Sequence, residues 1–300
     1  MAKLAFLFCL LASLLARAEL KVVEVATPFP SSKLYVPGDG KPHPGVIFLH
    51  GSEGGSLPYM NLEAQLLASH GYAALAFCWY NCGKDPLTMP LDRLENVELD
   101  STVKALAWLK SSSYVAGKKT ALAGWSRGGE QAILLASFPE AAALADAVAV
   151  HTPADTVVNG FTWAVYDKRC WICENLDLAC FRGAEDPDRW DRAHMKWNPS
   201  CGTEPTDPER LVAWLSHGKP LEVGKPIEIE KFGKPVFLTV GDQDNLWDWH
   251  QSVRLKDRLV KAGKPVELHV FPGEHHVFQS ANENERHRLV LEFLKKSLDE

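Results

Sequence analysis

The 300-residue sequence predicts an α/β domain: a mostly parallel sheet with helices on both faces and a disulfide-stapled insertion capping one end. Three observations predict it. Short runs that are apolar on both faces recur along the chain, as strands covered by helices on both sides require. Amphipathic stretches separate these runs, and a regular strand, helix, strand alternation builds a parallel sheet. One long stretch, 152–230, breaks the alternation and holds four of the seven cysteines. At 46% hydrophobic and 23% charged, the chain has enough apolar material for one large core with an insertion.

The chain begins MAKLAFLFCLLASLLARA. Lys3 precedes an apolar run from Leu4 to Leu15, and Ala16-Arg17-Ala18 has the small-x-small form of a secretory cleavage site, so removal before Glu19 is expected. That run is too short to span a bilayer comfortably. The expectation is an exported protein, secreted or periplasmic, with no stable membrane insertion after cleavage and with 19–300 as the working domain. Cys9 lacks the small residues that a lipid-anchor site would place before it. Cleavage removes two of the 32 basic residues and none of the 38 acidic ones, leaving a net charge of −8. With no basic patch or aromatic-basic stripe, nucleic acid is excluded as a partner.

The elements follow in order. VVEVA (22–26) and KLYVP (33–37) read as two early strands, and GVIFLH (45–50) as the first strand covered on both faces. YAALAFCW (72–79), KTALAGW (119–125), DAVAVH (146–151), PVFLTVG (235–241) and VELHVF (266–271) repeat that pattern. Helices are expected over 61–69, 96–110, 129–137, 251–262 and 284–298. The stretch from 159 to 217 carries five tryptophans, Trp163, Trp171, Trp190, Trp197 and Trp214, without strand-helix alternation. A structureless loop of that length is unusual in a compact domain, so 152–230 reads as a cap over one end of the sheet.

Six cysteines follow the leader: Cys78, Cys82, Cys170, Cys173, Cys180 and Cys201. An even number in an exported chain reads as disulfides, with Cys78–Cys82 local and two pairs among the other four. CWIC at 170–173 also raises a redox dithiol and half a zinc site. The first wants a strand-to-helix context that is missing there, and the second wants another closely spaced pair, whereas Cys180 and Cys201 stand far apart. No metal is expected. No cofactor is expected either, because phosphate-loop, dinucleotide and H-E-x-x-H motifs are absent from the sequence.

LAGWSRGGE (122–130) carries the chemistry. G-x-S-x-G alone demands only tight backbone geometry, but here Ser126 falls at the junction of a predicted strand and helix, where a serine can stand on a sharp elbow. The helix N-terminus brings N–H groups and partial positive charge beside it, so the Arg127 amide can face a developing oxyanion. HGSEGG (50–55) follows the third strand, where a glycine-rich loop can turn the amides of Ser52 and Glu53 toward the same oxyanion. Asp242 and Asp244 follow one strand, and His275 and His276 follow the last. Nucleophile, acid and histidine thus occur in chain order, each at the C-terminal end of a predicted strand. His50, Trp125 and His151, at or near the ends of three strands, are candidate pocket residues, and Asp155 is a possible substitute acid. The Glu53 and Arg127 side chains stand where a charged substrate could meet them.

From about Gly45 to Phe278 the chain resembles the α/β-hydrolase superfamily, on the residues GVIFLHGSEGG, LLASHGYAALAFCWY, GWSRGGEQAILLAS, GDQDNLWDW and FPGEHHVF. Within it, the chain is similar to the dienelactone hydrolases and to the C-terminal domain of the acyl-CoA thioesterase and bile-acid acyltransferase family. The resemblance implies a nucleophile at Ser126. It favours Asp244 through the G-x-x-D pattern and His276 through P-G-x-x. It implies acyl transfer through a covalent intermediate, with a small-molecule acyl ester as substrate. G-x-S-x-G-G is also similar to the catalytic domain of prolyl oligopeptidases. Several relatives place cysteine where this chain has Ser126, and the intracellular thioesterases lack the leader and the cysteine-rich insertion.

Overall fold

The computed structural model describes residues 20–55, 58–83, 94–160, 171–173, 195–201 and 211–299. The expected leader, Cys170 and Cys180 lie outside the described residues, as do the side chains of Cys173 and Cys201. In chain order the strands are β1 (Val22–Ala26), β2 (Lys33–Pro37), β3 (Gly45–Leu49), β4 (Ala73–Phe77), β5 (Val97–Glu98), β6 (Thr120–Trp125), β7 (Ala147–His151), β8 (Trp171–Cys173), β9 (Met195–Trp197), β10 (Trp214–Ser216), β11 (Lys219–Pro220), β12 (Val236–Gly241) and β13 (Val266–Phe271). The helices are α1 (Tyr59–Ser69), α2 (Leu99–Ser111), α3 (Arg127–Ser137), α4 (Pro139–Leu144), α5 (His250–Lys261) and α6 (Ser280–Leu298).

The eight expected strands form one sheet in the order β1-β2-β4-β3-β6-β7-β12-β13. β1 and β2 join antiparallel, and every neighbouring pair from β4 to β13 is parallel. Alternation along the strands sorts the core by size. Ile47, Leu49, Leu75, Leu122, Val148, Val150 and Leu238 meet α2, α3 and α5 on one face. The other face presents mostly alanines, Ala74, Ala76, Ala121, Ala123, Ala147 and Ala149, to α1 and α6. Small side chains let those two helices lie close to the sheet, while the larger row supplies about 1.5–3 kcal/mol for each fully buried aliphatic group.

Five helices match expectation within a few residues, and α4 is an addition. α6 begins earlier than its apolar pattern suggests, because Glu283 N–H already donates to the Gln279 carbonyl (2.8 Å) across a polar first turn. Cys78 and Cys82 are disulfide-bonded, with Cα atoms 5.8 Å apart, as expected of the local pair. The described ends of the insertion belong to the main core. Ala154, Val157, Trp214, Ile227 and Ile229 are all buried, and β10 pairs with β5 and β11 in a small separate sheet. Thus 152–160 and 211–231 form the base from which the middle of the insertion departs.

The critical close approach is between β3 and the start of α3. A Cβ on Gly128 would run into the carbonyl oxygens of Leu49 and His50, and one on Gly124 would lie 2.5 Å from the Gly128 carbonyl oxygen. Both positions need glycine because backbone occupies the space a side chain would take. Gly128→Ala should therefore cost about 3 kcal/mol and lower the urea midpoint well below that of Gly129→Ala, whose added carbon meets nothing nearer than 3.2 Å. Equal midpoints for the two variants would contradict this account.

Candidate active site

Ser126 lies between β6 and α3 with φ 51° and ψ −123°, outside the helix it precedes. Such a backbone costs on the order of 1–3 kcal/mol in a non-glycine residue and persists only where its surroundings hold it. Here Ser126 N–H donates to the His151 carbonyl (2.9 Å), and the Ser126 carbonyl accepts from Glu130 N–H (2.9 Å). The strand therefore ends abruptly and the helix begins at once. The serine side chain stands at the first turn of α3, whose leading N–H groups, Arg127's among them, have no acceptor within the helix.

The loop after β13 carries His276 to Trp125, the residue before Ser126. Its Nδ1 lies 2.9 and 3.0 Å from the two carboxylate oxygens of Asp244, and both side chains are almost fully buried. Asp244 Oδ1 also accepts from the Leu246 and Trp247 amides, each at 2.9 Å. That contact assigns the Nδ1 proton to the donating side and leaves Nε2 as the basic nitrogen. Trp125, immediately before Ser126, puts its ring 5.9 Å from the His276 ring. The other members of the two pairs point elsewhere. Asp242 accepts from Gly273 N–H (2.7 Å), and exposed His275 places Nδ1 2.6 Å from the Gln243 carbonyl. Asp155, the possible substitute acid, is held by Arg254 at 2.6 and 3.0 Å.

The loop after β3 supplies the facing wall. Glu53 Oε1 accepts from Gly51 N–H (2.9 Å) and from Trp125 Nε1–H (2.9 Å). No backbone hydrogen bond among the described residues takes up the Ser52 or Glu53 amide, the two expected donors of this loop. Burial pushes the Glu53 carboxyl up, against the pull of the Gly51 and Trp125 N–H groups and His276.

His50 and His151, the other two pocket candidates, are buried. Both are the last apolar-facing position of a covered strand, so the pleat turns them inward. His50 is fully buried and stacked 4.8 Å from Trp79; its Nδ1–H donates to the Gly51 carbonyl (2.8 Å), and Nε2 faces Trp79 N–H (3.4 Å). Burial pushes its imidazole down to about 4. His151 places Nδ1 3.0 Å from Thr239 Oγ1 and Nε2 3.2 Å from the His276 carbonyl oxygen, and burial drives it well below the ordinary value. Its backbone holds Ser126 while its ring holds the His276 loop. Trp125, the third candidate, is half-buried and does face the site.

Two residues at the site were not legible beforehand. Glu130 is completely buried: its Oε2 accepts from Arg127 (2.8 Å), and its Oε1 accepts from Trp214 Nε1–H and Val158 N–H, both at 2.8 Å. Burial pushes the Glu130 carboxyl up while Arg127 and the N–H donors oppose it. Trp247 carries the Arg127 guanidinium over its ring at 5.6 Å. The signal available for Glu130 was a charge on an otherwise apolar helix face. Among the described residues, metal-ligating types gather at Glu63, Glu283 and His287 on α1 and α6. Arg286 already brings a cation there, 2.5 Å from Glu283 and 3.4 Å from Glu63.

Comparison with known proteins agrees with this architecture. The profile of the prolyl oligopeptidase family matches residues 191–300, a stretch that includes Asp244 and His276. Acyl-coenzyme A thioesterase 1 of Rattus norvegicus is 34% identical over 143 residues, 48% of this chain and 30% of the relative. The chain thus spans less than a third of the length of that curated relative. Thermogutta terrifontis esterase 2, in a structure phosphoramylated by tabun, superposes with a TM-score of 0.54 at 16% identity, covering 93% of this chain and 94% of the other. A Klebsiella pneumoniae chain described as a candidate dienelactone hydrolase gives 0.55 at 14% identity, covering 92% and 97%. The chain has the α/β-hydrolase fold and is related to that superfamily. These similarities support a serine hydrolase.

The buried histidines make a prediction with a definite sign. His50 is held neutral to about 4, against an ordinary value of 6.5, so below 6.5 the unfolded chain takes up a proton that the folded chain refuses. Stability is full above pH 6.5 and falls as pH drops toward 4, by about 3 kcal/mol from this residue. Urea midpoints between pH 7.5 and 4 should show the decline, and His50→Gln should flatten it. A variant with the wild-type pH slope would rule His50 out as its source.

Proposed function

We propose that this chain is an exported serine esterase, cleaving carboxylic esters of small or medium acyl groups through an acyl-enzyme. The observation that carries the reading is the strained elbow at Ser126, with an Asp244–His276 pair at 2.9 Å brought beside it by the neighbouring Trp125. His276 Nε2 removes the Ser126 proton, and the alkoxide attacks the ester carbonyl. The amides of Arg127 and Ser52 stabilise the tetrahedral anion. His276 then returns its proton to the leaving alcohol. Water, activated by the same nitrogen, releases the acid. Asp244 orients the imidazole and stabilises its cationic form throughout.

The enzyme works outside the cytoplasm after loss of 1–18. The Cys78–Cys82 disulfide supports an oxidising compartment. An exported enzyme seldom meets acyl-CoA, which favours oxygen esters over the thioesters named for the rat relative. A second reading, peptide hydrolysis, rests on the match of 191–300 to the prolyl oligopeptidase family.

Purified protein lacking 1–18 should hydrolyse p-nitrophenyl esters, with activity depending on chain length. Ser126→Ala should lower kcat by about 10⁴-fold and Asp244→Asn by about 10³-fold or more. Labelling by a serine-directed fluorophosphonate should disappear in Ser126→Ala. Faster release of p-nitroaniline from a prolyl peptide would move the assignment to a peptidase, and preference for an acyl-CoA would move it to a thioesterase. Full turnover in Ser126→Ala would end the proposal, and an unlabelled, inactive but folded protein would point to a binding module.

A further inference from the structure

We infer that the Glu53 carboxylate makes the acyl pocket beside Ser126 discriminate by charge, accepting neutral and cationic acyl groups and refusing those that carry a carboxylate. The inference rests on the esterase reading and names the substrate class of the same site.

Position comes first. The point that a Cβ on Gly51 would occupy touches Glu53 Oε2, lies 2.8 Å from Trp125 Nε1 and lies 3.3 Å from Ser126 Cβ. Carboxylate, indole N–H and the Ser126 side chain therefore crowd around one point beside Gly51, so the carboxylate is a near neighbour of whatever is bound to Ser126. Orientation follows. Oε1 is taken by Gly51 N–H and Trp125 Nε1–H, so the carboxyl group is fixed, and Oε2 is the oxygen at the nucleophile side. Trp125 is itself braced by Tyr59 at 4.8 Å.

Charge completes the case. Gly51 N–H and Trp125 Nε1–H, the donors to Glu53 among the described residues, are both neutral, and neither Lys nor Arg among those residues forms an ion pair with it. The Arg127 guanidinium is engaged by Glu130 at 2.8 Å, and the nearby Asp244–His276 pair carries a net negative charge while the imidazole is neutral. No Lys or Arg among the described residues offsets the Glu53 charge, and the upward push of burial on the carboxyl is opposed by the N–H donors and by His276. If the side chain served only to strap the oxyanion loop, glutamine would do as well, because its carbonyl oxygen can accept the same two N–H groups. The residue's negative charge is what distinguishes the two roles.

The test is Glu53→Gln beside wild type on p-nitrophenyl esters of matched length: hexanoate, the monoester of adipate and the ester of trimethylammoniohexanoate. In wild type, kcat/KM for the neutral ester should exceed that for the anionic one by about tenfold or more, and the cationic ester should equal or exceed the neutral one. Glu53→Gln should bring the three values together, and high salt should narrow the wild-type spread. A change shared equally by all three substrates is an effect on the loop or the oxyanion and cancels in the ratios. Ratios that do not move in Glu53→Gln, with neutral turnover still dependent on Ser126, overturn the charge assignment and leave the esterase reading intact. Neutral turnover that survives Ser126→Ala overturns the esterase reading itself. Labelling of Ser126 by neutral and trimethylammonium-bearing fluorophosphonates reads the same selectivity without turnover; absence of both labels overturns the two together.

Discussion

The first turn of α3 must start against the end of β3 with no side chain between them. Gly128 sits on the carbonyl oxygens of Leu49 and His50, and Gly124 sits on Gly128, so two strands and a helix converge at backbone contact. A serine between two such glycines cannot relax into an ordinary helix cap. It takes φ 51°, and its amide goes to His151. Everything that positions the chemistry follows from that crossing: the nucleophile at the sheet's C-terminal edge, the helix N-terminus behind it, and the oxyanion loop opposite, which begins at the very carbonyls Gly128 touches.

A crossing that tight needs support beyond the sheet, and α3 provides it through Glu130. One buried carboxylate binds Arg127 within its own turn, the Trp214 indole on β10 and the Val158 amide, while Arg127 donates to the Asn159 carbonyl. The two ends of the long insertion are thus fastened to the residues that form the elbow. A buried ion pair is weak evidence for net stability, since desolvation offsets much of the attraction. Its contribution is geometric. Removing either partner would leave the other charge buried and would also release the base of the insertion.

Much of this was legible in the sequence, for a physical reason. Strands covered on both faces cannot alternate, so GVIFL, AALAF and TALAGW stand out as continuous apolar runs, and parallel order follows from the helices between them. The candidate residues Ser126, Asp244 and His276 stood out because each lies just past such a run. The strands of β5 and β8–β11 are two or three residues long and show no period. Contacts made across the fold leave no local trace: Trp125 meets Glu53 72 residues away, and Trp214 meets Glu130 84 residues away. For His50 and His151 a position near a strand's end fixed neither the face nor the burial of the ring.

Trp125 shows how the separate parts become one site. Its indole lies 4.8 Å from Tyr59 of α1, 5.9 Å from His276, stacked at 6.3 Å over His151, and hydrogen-bonded to Glu53. One rigid side chain therefore touches the oxyanion loop, the histidine loop, a buried strand end and a helix, and its backbone continues into the nucleophile. Displacing the ring would move the Glu53 carboxylate and the His276 imidazole together. The Glu53 carboxylate and the Ser126 elbow are accordingly not independent features: the same indole N–H that fixes Glu53 belongs to the residue that precedes the elbow.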